Sequence, residues 1–172
     1  MYKVLALLAV LPSTFAHFIL NYPTALGVFK DEEEGTAPCG GYDINFSGNV
    51  TEVPVGGFAV ALMSTHPQAD WLYRITTSTE EPYNWTNILP VVSESGLGAF
   101  CLPDLTVPSS FVGQQAIIQV TQDAVDGELY QVRPCLHRAA RGIMLRPCSV
   151  PLSNSSKEVP PPYPALAPTR LV

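Results

Sequence analysis

Residues 116–121 read Ala-Ile-Ile-Gln-Val-Thr, an apolar run interrupted only by Gln119 and Thr121. It is too short for a core helix, and its branched side chains fit a strand covered on both faces, as between two sheets. Runs of the same kind occupy 18–21, 58–63, 71–76, 88–92 and 99–102, with 128–131 as a continuation of the strand at 116–121. Turn residues separate them: Cys39-Gly40-Gly41, Pro54-Val55-Gly56-Gly57, Gly96-Leu97-Gly98, Val112-Gly113 and Asp126-Gly127. Pro108 breaks Leu105-Thr106-Val107-Pro108, which places that stretch at an edge or in a loop. Seventeen Pro and twelve Gly leave no long helical stretch. Short strands at this spacing predict an all-β, immunoglobulin-like antiparallel β-sandwich.

The chain has 172 residues, 47% apolar and 14% charged, enough for one core and cramped for two. A net charge of −6 repels phosphate backbones, which excludes nucleic-acid binding. Residues 1–16, MYKVLALLAVLPSTFA, combine one Lys, a short apolar run and small residues before Ala16, the pattern of a secretory signal peptide and not of a membrane span. Cleavage after Ala16 makes His17 the first residue. Secretion agrees with four sequons, at Asn45, Asn49, Asn84 and Asn154. It also agrees with an even set of cysteines, Cys39, Cys101, Cys135 and Cys148, for which three disulfide pairings exist. Their spacing does not suit zinc.

Asp31-Glu32-Glu33-Glu34 reads as a solvated acidic loop with no chemistry assigned. Residues 153–172 turn polar and then proline-rich, a disordered tail without the terminal apolar run of a lipid anchor. Residues 132–147, VRPCLHRAARGIMLRP, do not match their surroundings, and two accounts stand: a basic insertion with a short helix at 136–145, or an extraneous segment from an unspliced intron.

An N-terminal His binds a metal through its α-amino nitrogen and its own Nδ1. Amine and imidazole titrate near ~8 and ~6.5, so both are available close to neutral pH. A second imidazole completes a three-nitrogen set that suits Cu(II). His66, in Ser64-Thr65-His66-Pro67, is expected on an exposed strand-end loop; the other candidate, His137, lies in the 132–147 segment. Trp71, Tyr73, Tyr83 and Trp85 offer a stacking face for polysaccharide or, more commonly in a sandwich, packing.

Taken together, HFILNYPTALGVFKDEEEGTAPCGGYD, STHP, GLGAFCLPDLTVP and AIIQVTQDAVDGELYQ followed after a gap by CSV resemble the fungal secreted copper proteins related to lytic polysaccharide monooxygenases, and more narrowly their copper-acquisition subgroup. The resemblance implies an LPMO-like domain over 17–152 and metal ligands at His17, His66 and Asp126, with Asp123 as the alternative aspartate. It implies a Cys39–Cys148 disulfide, leaving Cys101 to pair with Cys135 or stay free. In that family the LYQ motif runs directly into a cysteine, which favours the extraneous account of 132–147.

A carboxylate ligand favours Cu(II), occupies a coordination position and so opposes oxygen activation. The expected function is therefore extracellular capture or delivery of Cu(II) by a non-enzyme, with copper-dependent polysaccharide monooxygenase as the alternative and Tyr130 close enough in sequence to keep that alternative open. A copper transporter or a cell-wall component is the expected partner, at the cell surface or in the cell wall.

Overall fold

Strand-forming segments fold into two facing sheets in the computed structural model, which describes residues 16–23 and 26–139. The expected tail, Cys148 and Asn154 lie outside the described residues, as does nearly all of the expected signal peptide. The described strands are β1 (Phe18–Tyr22), β2 (Thr51–Pro54), β3 (Phe58–Ser64), β4 (Gln68–Thr76), β5 (Thr86–Asn87), β6 (Val92–Ser95), β7 (Gly98–Leu105), β8 (Gln115–Ala124) and β9 (Gly127–Arg138). Short 3-10 turns lie at Asp31–Glu33 and Ser109–Phe111.

One sheet has the order β1-β3-β7. The other runs β2-β9-β8-β4, with β5 and β6 sharing the far edge of β4. All described pairings are antiparallel except β2 with β9, which is parallel in the register Thr51↔Cys135 to Pro54↔Arg138. Alternation decides which side chains meet between the sheets. Phe18 and Leu20 of β1, Phe58, Val60 and Leu62 of β3, Trp71, Tyr73 and Ile75 of β4, and Ala116, Ile118 and Val120 of β8 form one buried cluster. Phe18 meets Trp71 edge-on, at 5.1 Å between ring centroids and 86° between planes. Burial of each large apolar side chain contributes on the order of 1.5–3 kcal/mol.

The run at 116–121 is covered on both faces, as its composition requires, but only one cover is a sheet. On the outer face Ile117 packs with Cys39, Ile44 and Val132, against which Tyr42, Phe46, Tyr83 and Trp85 also lie. A loop and two aromatics thus replace the second sheet expected there.

Three expectations are corrected. The run expected at 88–92 is not a strand over 88–91: Pro90 has no N–H to donate, and pairing with β4 is divided between β5 before it and β6 from Val92 onward. Residues 51–54 form β2 where only the following turn was expected. The segment beginning at Val132 was read as lacking strand structure, yet residues 132–138 continue β9, flanked by β8 and β2. Arg133 hides this signal, because its guanidinium is buried and donates to the carbonyls of Val132 and Leu20 and to Gln131 Oε1. Residues 140–147 lie outside the described residues.

Cys39 and Cys135 are free buried thiols, and Cys101 is disulfide-bonded. This departs from the pairing of Cys39 with Cys148, Cys39 being enclosed by Ile44, Ile117 and Val132, and from both expectations for Cys101, which is bonded while Cys135 is free. Among the described residues, no helix is long and apolar enough to cross a membrane.

Candidate metal centre

Three chain segments converge at one end of the sandwich: the start of β1, the Thr65-His66-Pro67 link between β3 and β4, and the Val125-Asp126 tip of the β8–β9 hairpin. Gly127 closes that tip with φ +127°, a conformation L side chains rarely adopt, so the Asp-Gly pair shapes the turn that presents Asp126.

His66 is 2% exposed, which corrects the expectation of an exposed loop residue. Its burial follows from anchoring: the His66 N–H donates to Ser64 Oγ at 3.2 Å, and Gln122 Nε2 of β8 donates to the same oxygen at 2.8 Å. His66 Nε2 lies 2.6 Å from Asp126 Oδ1. Nδ1 of the same ring is buried with no hydrogen-bond partner.

Asp126 also accepts, through Oδ2, from the Ala16 N–H at 3.3 Å. Partial burial raises its carboxyl pKa, but the hydrogen bonds from His66, Ala16 and its own main chain outweigh burial, and the net shift is downward. An ionised carboxylate is thereby favoured. Asp123, the alternative, lies within β8 in register with Asp70 and Glu128.

The His17 main chain is clamped to Thr65. Its N–H donates to Thr65 Oγ1 at 2.7 Å, while the Thr65 hydroxyl and N–H donate to the His17 carbonyl at 2.8 and 3.0 Å. The His17 nitrogen, which cleavage after Ala16 would free, is thus held beside the residue preceding His66. The His17 imidazole pairs through Nε2 with Asp31, at 2.5 Å from Oδ1, and not with Asp126. Accordingly, no group of three or more His, Cys, Asp or Glu that could hold a metal exists among the described residues. What is assembled is an imidazole–carboxylate pair with the His17 main chain alongside. Nitrogen and carboxylate donors of this kind, His66 Nε2 and Asp126 Oδ1, fit a cupric ion.

His137 is not part of this arrangement. It is fully buried on β9 between Phe58 and Phe111, with ring centroids 6.4 and 6.0 Å away. Trp71 and Tyr73 are core residues, 1% and 4% exposed, and Tyr83 and Trp85 pack on the outer face of β8. Tyr130 is buried with its hydroxyl donating to Glu128. Asn45, Asn49 and Asn84 are exposed.

Sequence reasoning missed Asp31 and Glu34. The four-acid run is read as uniformly solvated, yet Asp31 meets His17 and Glu34 is 1% exposed, bonded to Gln131 Nε2 at 2.7 Å.

Comparison with known proteins extends the geometry. Residues 15–135 match the family model described as copper acquisition factor BIM1-like. An uncharacterized Aspergillus fumigatus protein is 36% identical over 110 residues, covering 62% of this chain and 44% of that protein. A lytic polysaccharide monooxygenase-like protein, X325, of Yarrowia lipolytica is 31% identical over 135 residues, covering 73% of this chain and 51% of that protein. The chain thus spans about half the length of these relatives. In fold, it is similar to the catalytic domain of an LPMO from Listeria monocytogenes, with TM-score 0.54 and 16% identity over 70% of this chain and 99% of that one.

Proposed function

The chain belongs to the BIM1-like copper acquisition factor family, and from that premise we propose that it captures or delivers Cu(II) outside the cell without oxidising polysaccharide. His17, His66 and Asp126 are the proposed ligands, with cleavage after Ala16 supplying the His17 amine. The observation that supports this reading is the 2.6 Å contact between His66 Nε2 and Asp126 Oδ1: a carboxylate stands beside the imidazole, and as a ligand it would take a position that oxygen activation needs open.

Each residue has a physical task. Ser64 and Gln122 fix the His66 main chain, and Thr65 holds that of His17. Asp126 supplies negative charge that favours the cupric ion. The burial of Trp71 and Tyr73 further supports cargo binding, since of the four rings considered for stacking on a sugar chain only Tyr83 and Trp85 are half-exposed.

Secreted protein with a verified His17 terminus, titrated with Cu(II), is expected to bind one ion with an electron paramagnetic resonance spectrum of nitrogen and oxygen donors. His66→Ala is expected to weaken binding by more than the ~100-fold that outer-shell losses reach, and Asp126→Asn to shift the copper potential toward Cu(I). Incubation with a reductant and chitin, cellulose or glucan should yield no oxidised oligosaccharides. Their appearance would replace this function with monooxygenase activity.

A further inference from the structure

We propose that Asp31 is a positioning residue for His17, orienting its imidazole and fixing the tautomer in which Nδ1 is free to join the amine in a chelate. This rests on the copper-binding role proposed above and adds a residue to it. Asp31 Oδ1 stands 2.5 Å from His17 Nε2. A neutral imidazole carries one N–H, and a carboxylate can only accept, so this contact places the proton on Nε2 and leaves the Nδ1 lone pair bare. Nδ1 is the ring nitrogen bonded to Cγ, and it alone can close a six-membered ring with the residue's own main-chain amine and a metal. Nε2, across the imidazole, cannot.

Asp31 is held in place from several directions. Lys30 Nζ donates to the Gly41 carbonyl at 2.6 Å and to Glu33 Oε2 at 3.0 Å. Tyr42 donates its hydroxyl to the Val28 carbonyl at 2.8 Å. Beyond the 3-10 turn, Glu34 accepts from the Tyr130 N–H at 2.8 Å through its carbonyl and plugs its side chain into the core. The segment carrying Asp31 is therefore tied down at both ends. Phe29, from the same segment, meets the His17 ring edge-on at 6.2 Å and 89°, a second contact on the ring. Ile19 and Met63, cross-strand neighbours in β1 and β3, line the recess beside this ring. Carboxylates that accept the second ring N–H of a metal-binding His raise its basicity and typically account for 10–100-fold in affinity. Asp31 is 66% exposed, which sets the expectation at the lower end.

The test starts with metal-free, His17-first protein labelled with 15N, in which long-range proton–nitrogen correlations at pH 8 report which ring nitrogen is protonated. Wild type is expected to show His17 protonated on Nε2 alone. Asp31→Ala should relax it to a tautomer mixture, and Asp31→Asn should preserve it, because the amide oxygen still accepts. In Cu(II) titration Asp31→Ala should bind about tenfold more weakly with altered hyperfine splitting, and Asp31→Asn within about threefold of wild type. An Nδ1-protonated wild type, or an Asp31→Ala protein with unchanged tautomer and affinity, would overturn the role given to Asp31. Failure of wild type to bind copper would end the copper proposal instead, while the metal-free tautomer still decides what Asp31 does to His17.

Discussion

Ser64 shows how a single hydroxyl governs a site it does not enter. Its oxygen takes hydrogen bonds from the His66 N–H and from Gln122 Nε2, both buried, so neither donor has water as a substitute. Ser64→Ala strips both of their partner. Each buried donor left unsatisfied costs about 1–3 kcal/mol, so a loss of about 2 kcal/mol or more is expected in urea unfolding. Copper affinity should fall with it, whereas the His17 tautomer should not change, which separates this residue from Asp31. None of this was readable from the sequence. STHP suggests a loop histidine, and its burial depends on Gln122, a residue 56 positions later that pairs with Trp71 in the sheet. Glu34 was hidden for the same reason: its partners Gln131 and Arg133 are 97 or more positions later in the chain.

Elements that carry strong apolar alternation were legible, and those whose identity depends on a partner were not. β1, β3, β4, β7 and β8 all contain the runs expected of them, extended by one to a few residues. β2 has one buried residue in its pattern, Val53, and exists because β9 offers it an edge. β9 outruns its recognisable beginning because Arg133 and Pro134, poor strand signals, are held in it by pairing with β8, and β2 joins on the other edge from Cys135 onward. The loop over the outer face of β8 has its own requirement. Gly40 adopts φ +63°, and a Cβ there would lie 2.0 Å from the Tyr130 carbonyl oxygen. Gly40→Ala combines backbone strain with a clash against main chain that cannot swing away. It is expected to lower stability by about 1–3 kcal/mol or more, with increased reactivity of Cys39 toward thiol reagents as the loop lifts. Gly98→Ala also has positive φ but meets nothing within 4 Å, and should cost less in the same measurement.

Across the whole molecule, two buried titratable groups push stability in opposite directions with pH. Burial raises the Glu34 carboxyl to about 7, against hydrogen bonding from Gln131 and Phe18 and attraction to Arg133, which lower it, and repulsion from Asp31, which raises it. The folded state then holds a proton that the unfolded state releases above its ordinary value of 4.5, so stability falls as pH rises from 4.5 to 7 and levels off beyond. His137 does the reverse. Desolvation between Phe58 and Phe111 lowers it to about 4, so the unfolded chain takes up a proton below 6.5 that the folded chain refuses, and stability is lost as pH falls from 6.5 to 4. Between 4.5 and 6.5 the two slopes oppose each other. Glu94, raised to about 7 by burial but half exposed, adds a weaker contribution of the Glu34 sign. Replacing one group should uncover the other. Glu34→Gln is expected to gain stability relative to wild type progressively from pH 4.5 to 7, by up to about 3 kcal/mol. His137→Leu should gain relative to wild type as pH falls from 6.5 to 4, by a similar amount, because an imidazole with neither nitrogen bonded is replaced by a side chain that asks for no partner. Urea midpoints measured at half-unit steps from pH 4 to 8 check both, and parallel curves for the three proteins would show that neither group titrates differently in the folded chain.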